Sequence, residues 1–116
     1  MEIYILVLFT IMSGVFSDSI GPKDEDKHII RREGESVTLS CSYETQSNNV
    51  WLYWYRQYTN KEPQYLLLKG ARSNSRSEDR PDHHFQSSTG QITTELTIDK
   101  AALSDSALYY CALRVV

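Results

Sequence analysis

The sequence predicts an all-β domain, a sandwich of two antiparallel sheets, on three observations. Apolar residues recur with period 2 in segment after segment, as in strands with one face in a core and the other in water. Beyond residue 17 no stretch carries the i, i+3, i+4, i+7 apolar stripe of an amphipathic helix. Polar turns divide the chain into seven or eight short segments, the spacing of a sandwich. With 116 residues there is room for one small domain and too little for a bilobal enzyme.

The elements follow in order. Ile3–Met12 is an apolar run too short to span a bilayer and suited to the hydrophobic segment of a secretory leader. Val15, Phe16 and Ser17 place small or branched residues where a leader is cut, so 1–17 is read as a signal peptide and 18–116 as the domain. Glu2, where Lys or Arg is usual, departs from that pattern, and a first apolar strand of the fold is the alternative. Glu33, Gly34 and Glu35 form a turn before a strand at 36–43, where Val37, Leu39 and Cys41 alternate with Ser36, Thr38, Ser40 and Ser42. A strand at about 50–57 sets Leu52, Trp54 and Arg56 on one face and Tyr53, Tyr55 and Gln57 on the other. The polar turn 58–63 leads into a strand at 64–69, and 70–81 is a charged loop with room for a short edge strand. A short strand begins near Phe85, Ser88–Gln91 is a hairpin turn, and Ile92, Thr94, Leu96 and Ile98 alternate along 92–98. The last strand starts near Ala107, with Tyr109 and Cys111 inward and Leu108, Tyr110 and Ala112 outward.

Charge and cysteine content exclude several functions. Twelve basic against 15 acidic residues provide no broad positive field for a phosphate backbone, so nucleic acid is not an expected partner. In an exported chain, Cys41 and Cys111 are read as one disulfide. The alternatives are a free catalytic thiol beside His83 or His84, which needs an activated cysteine, and a zinc site, for which no Cys-x-x-Cys pair is present. There is no glycine-rich phosphate loop, and Asp82, His83 and His84 lie in a charged loop, so neither catalysis, a cofactor nor a small-molecule substrate is expected. No Asn-x-Ser/Thr acceptor for an N-glycan is present.

Three features then coincide: Cys41, Trp54 thirteen positions on, and the closing run Asp105–Cys111 with Tyr109 two residues before the cysteine. With them the chain resembles an immunoglobulin variable-type domain, over all of 18–116. Trp54–Gln57, Lys61–Gln64 and Leu103–Cys111 are more specifically similar to a T-cell receptor alpha or delta variable segment. The resemblance implies a V-type Greek-key sandwich, with Leu39, Trp54, Leu96 and Tyr109 in the core around the inter-sheet disulfide, and Arg56 paired to Asp105. Where related domains carry an arginine before the residue matched by Phe85, this chain has His84, which would bridge to Asp105 only when protonated. After Cys111 only Ala112–Val116 follow, so the final strand of a complete variable domain is expected to be missing, as in a germline segment not yet spliced to a joining segment. An exposed sheet edge and poor solubility are the expected consequences.

The resemblance also implies function. Antigen would be read by the loops Thr45–Trp51, about Lys69–Arg76, and the stub Leu113–Val116. The residues carried over are Thr45, Gln46, Ser47, Asn48, Asn49, Val50 and Trp51, then Lys69, Gly70, Ala71, Arg72, Ser73 and Asn74, then Leu113 and Arg114. In this reading Gln46–Asn49 offer neutral donors and acceptors to a peptide, and Arg72, Arg76 and Arg114 meet acidic groups on a presenting molecule. Tyr53, Tyr55, Gln57, Pro63 and Tyr110, with a leucine of the strand after Pro63, would form the face that pairs with a second variable domain. The implied partners are a beta or gamma receptor chain, a peptide on an MHC-type or MHC-like molecule, and signalling subunits reached through a constant region. The implied location is the extracellular face of the plasma membrane, reached by the secretory pathway. An immunoglobulin light chain, or an innate or adhesion receptor with a non-rearranging V-type domain, is the alternative.

Overall fold

The alternating segments pair into two sheets with the disulfide between them. The computed structural model describes residues 18–22 and 29–115 in full, together with the backbone of residues 2–8 and 28. The expected cleavage point after Ser17 and the terminal Val116 lie outside the described residues. The strands are β1 (Glu2–Leu8), β2 (Ser19–Pro22), β3 (His28–Arg32), β4 (Val37–Glu44), β5 (Asn49–Gln57), β6 (Gln64–Arg72), β7 (Glu78–Asp79), β8 (Phe85–Thr89), β9 (Thr93–Ile98) and β10 (Ala107–Val115). One sheet runs β3-β1-β10-β5-β6-β7 and the other β2-β4-β9-β8. Among the described residues one 3-10 turn, Leu103–Asp105, is present, and it precedes β10.

Alternation decides which side chains enter the core. Along β4, Val37, Leu39, Cys41 and Tyr43 point inward, and along β9 Thr94, Leu96 and Ile98 do. From the opposite sheet Val50, Leu52 and Trp54 of β5 meet Tyr109, Cys111 and Leu113 of β10. Cys41 and Cys111 are joined across the sheets with Cα atoms 6.7 Å apart. The Trp54 ring is fully buried, and its indole N–H donates to Thr94 Oγ1 at 3.2 Å, so neither polar group is left unpaired. Gly34 turns the chain between β3 and β4 at φ +92°, a conformation costly for any side chain, and donates its N–H to Ala101 O at 2.8 Å.

Three features differ from the sequence reading. Ile92, expected inward, is 61% exposed. It lies before β9, in the hairpin turn, where its carbonyl accepts the Tyr43 N–H at 2.9 Å. β6 and β10 run on further than a loop-first reading allows, to Arg72 and Val115. The edge of β10 expected to be open is occupied over Ala107–Tyr110 by β1, which pairs with it in parallel and with β3 in antiparallel. The unpaired N–H and C=O row of an edge strand is a template for any apolar β-prone run, and residues 3–8 are one.

Candidate functional site

The end of the sandwich where β4 gives way to β5 and β6 to β7 gathers three connecting segments. In the 45–48 loop, Ser47 N–H donates to Thr45 Oγ1 at 3.2 Å and Asn49 N–H to Ser47 Oγ at 3.0 Å. The loop is tied to the turn after β6. Ser73 N–H donates to Asn48 O at 3.0 Å, the Ser73 hydroxyl bonds the same oxygen, and Asn74 Nδ2 donates to Asn49 Oδ1. Gln46, Asn48, Ser73, Ser75 and Arg76 remain exposed. Arg114 is exposed beside them, its guanidinium 5.7 Å from the Trp51 ring centre and 5.9 Å from that of Tyr53.

Several residues assigned to ligand contact lie elsewhere. Val50 and Leu113 are completely buried, Ala71 is 1% exposed and Gly70 is buried. Val50, Leu113 and Ala71 occupy inward positions of β5, β10 and β6 and face the core, whereas Gly70, paired with Trp51 on the other face of the sheet, is covered by the turn at Asn74, so none of the four can meet a ligand. Gly70 has a further reason to be glycine: a Cβ there would stand 2.1 Å from Asn74 O. Lys69 is half-buried and bonded through Nζ to Glu78 Oε2 at 3.1 Å. Arg72, expected to meet acidic groups, donates instead to three backbone carbonyls. Its Nη1 reaches Thr45 O and Ser47 O, both at 2.7 Å, and its Nε and Nη2 reach Gln91 O at 3.0 and 2.6 Å.

The outer face of β5, β6 and β10 carries a row of aromatics. Tyr53 and Tyr55 stack with centroids 6.2 Å apart, and Tyr65 meets Tyr55 edge-on at 6.1 Å. Tyr65, 41% exposed, donates its hydroxyl to Asp79 Oδ2 at 2.6 Å. Burial first, then that carboxylate, push its pKa well above the ordinary tyrosine value. Tyr65 escaped the sequence reading, which put a leucine here. The β5–β6 register shifts between Trp54 and Tyr55, so Leu66 and Leu67 are both buried and Tyr65 takes the outward place. Tyr110 is half-buried and bonds through its hydroxyl to Gln57 Oε1, while Gln57 Nε2 donates to Lys61 O at 2.9 Å. Gln57, expected to bond across to a partner, is thus already held at both ends by its own chain. Pro63 is exposed at the margin.

At the opposite end, before β10, Asp105 is only 4% exposed. Its Oδ2 accepts the Ala102 N–H at 2.8 Å and lies 2.8 Å from His84 Nε2, and its Oδ1 lies 3.8 Å from Arg56 Nη1. The Tyr109 hydroxyl donates to Asp105 O at 2.7 Å. Burial is the main cause that raises the Tyr109 pKa far above normal. Arg56 also donates to Gln64 Oε1 and lies over the Tyr58 and Phe85 rings, at 4.8 and 5.4 Å. The sequence reading left the His84 contact open, and the ring is directed at the carboxylate. Neither cysteine is free, so the thiol that a catalytic reading requires is absent. Among the described residues, no group of three or more His, Cys, Asp or Glu is arranged to hold a metal.

The disulfide with Trp54 beneath it, the buried Asp105 with Tyr109 bonded to its carbonyl, and the tyrosine face together match one family. The immunoglobulin V-set domain matches residues 25–115. The chain belongs to the V-set family, with the T-cell receptor alpha variable segments. It is 36% identical over 111 residues to human T cell receptor alpha variable 18, covering 94% of this chain and 93% of that one. It is 41% identical over 88 residues to the rabbit T-cell receptor alpha chain V region RL-5, covering 74% of this chain and 62% of the rabbit sequence. Human T cell receptor alpha variable 9-1 is 33% identical over 110 residues, with 93% of this chain and 92% of the relative covered. The V-set domain therefore supplies a rigid two-sheet frame, a polar end built from three loops, and an aromatic flank.

Proposed function

We propose that this domain is the antigen-recognition part of a T-cell receptor alpha or delta chain, acting by binding and not by catalysis. The observation that carries the reading is the tyrosine face on β5, β6 and β10, half-buried at Tyr53, Tyr55 and Tyr110 and exposed at Tyr65, which adjoins the polar loop end. Tyrosines present large apolar area with a polar tip, suited to a half-buried interface with a second domain. In this reading the partner is the variable domain of a beta or gamma chain, and the pair reads a peptide held by an MHC-type molecule. Gln46, Asn48, Ser73, Arg76 and Arg114 are the exposed groups available to the ligand, and Trp51 supports Arg114. Residues 1–17 act as a secretory leader, and their removal frees the β10 edge for a further strand. Anchorage at the outer face of the plasma membrane and contact with signalling subunits come through a constant region.

Spliced transcripts carrying this segment, sequenced from many single lymphocytes, test the reading. The expected result is a junction after Val116 that differs from cell to cell and runs into a receptor constant region. One invariant continuation in every cell would overturn it and assign the domain to a fixed receptor.

A further inference from the structure

Arg72 closes β6 with its backbone at φ +56°, in the left-handed region that non-glycine residues seldom occupy. Such a conformation persists where surrounding contacts over-determine it, and here the guanidinium supplies them. Nη1 donates to the carbonyls of Thr45 and Ser47, in the loop that joins β4 to β5. Nε and Nη2 both donate to the carbonyl of Gln91, in the turn that joins β8 to β9. The cation also lies 5.2 Å from the centre of the Tyr43 ring, whose hydroxyl donates to Gly90 O at 2.6 Å in that same turn. A planar fork of five donors can bridge separated acceptors in this way, whereas a single ammonium cannot.

We propose that Arg72 is a positioning residue that locks the 45–48 loop and the 90–92 turn into one rigid unit, and that it serves recognition without touching the ligand. The proposal rests on the reading of this end as the recognition end. A loop already held in place loses less conformational freedom when a ligand binds, so the lock favours binding by reducing the ordering cost. It also makes the 90–92 turn, with Ile92 exposed, move with the recognition loop instead of independently.

Amide hydrogen exchange on the full chain with its disulfide formed tests this without any ligand, so it is independent of whether the domain reads antigen. Arg72→Asn keeps a residue that tolerates the left-handed conformation and removes the fork. The expected result is exchange about tenfold faster at Ser47 and Asn49 and also at Gly90, with Leu39, Cys41 and Leu96 unchanged. Arg72→Lys should restore protection on one side at most. Faster exchange confined to 71–74, or spread evenly through the core, would overturn the proposal, since a merely local or global structural role predicts those patterns. Should the Asn variant not fold, the unaltered chain decides. The Arg72 Nε–H is expected to exchange as slowly as the neighbouring backbone amides, and solvent-like exchange there would refute the lock.

Discussion

Replacing Asp105 by alanine is expected to destabilise the domain by roughly 3 kcal/mol, from three contributions. The carboxylate caps the 3-10 turn through the Ala102 N–H at 2.8 Å, and losing such a cap costs about 1 kcal/mol. Its contact with His84 Nε2, also 2.8 Å, contributes about 1 kcal/mol more. Arg56 would be left without its carboxylate, but that pair is long at 3.8 Å and the side chain is 18% exposed. Its loss therefore costs about 1 kcal/mol, well under the several that a fully buried broken pair would. For a domain of this size the sum corresponds to a fall in Tm of roughly 12–24 °C. Denaturant unfolding with the disulfide intact, followed by tryptophan fluorescence and circular dichroism, measures it. Asp105→Asn keeps the shape and an acceptor for Ala102, and should cost about half as much. Asp99→Ala is the control, because its hydrogen bond from Ser36 Oγ is exposed and its loss should stay within about 0.5 kcal/mol. If Asp105→Ala is no worse than Asp99→Ala, the assignment of Asp105 as the anchor of this end is wrong.

Further outcomes follow from the same geometry. Gly70→Ala should cost about 2 kcal/mol or more, because the added Cβ meets Asn74 O at 2.1 Å and that atom is backbone. Gly34→Ala, where space is open but φ is +92°, should cost only about 1 kcal/mol, and the two denaturation midpoints check the order. Paired Cys41→Ala and Cys111→Ala changes remove a cross-link of sequence separation 70 and should cost about 4 kcal/mol, read from unfolding curves with and without reductant. Tyr43, Tyr55, Tyr65 and Tyr109 all have pKa values raised, chiefly by burial. Because the folded values lie above the unfolded ones, their stabilisation is present below about pH 10 and is lost as pH rises further. Unfolding free energy should therefore fall steeply in strong alkali, and a flat profile through the phenolate absorbance change would contradict this.

The fold was largely legible because alternation carries it. Val37, Leu39 and Cys41 against Ser36, Thr38 and Ser40 leave no doubt about which face is buried, and the structure places them so. What escaped was what periodicity cannot encode. A register shift opposite Trp54 buries two successive leucines and turns Tyr65 outward, and no alternation rule anticipates it. The ends of strands were similarly hidden. Val50, Ala71 and Leu113 fall in the segments that the family resemblance gives to loops, yet strand pairing extends past them and carries them into the core. The parallel docking of β1 on β10 depends on a free edge, a property of the assembled sheet and not of any local segment.

The two ends of the sandwich are held by different chemistry, and the difference bears on recognition. Asp105 organises one end through its side chain, so the groups that meet it must be His84, Arg56 or chemical equivalents. At the other end Arg72 and Ser73 bond the carbonyl oxygens of residues 45, 47, 48 and 91. Every residue type has a backbone carbonyl. A brace on main-chain atoms therefore fixes the loop path while leaving the exposed side chains of Gln46 and Asn48 free to be anything that fits in water. Changing those two residues should alter the surface offered to a ligand without moving the loop, whereas changing Arg72 should move the loop without altering that surface.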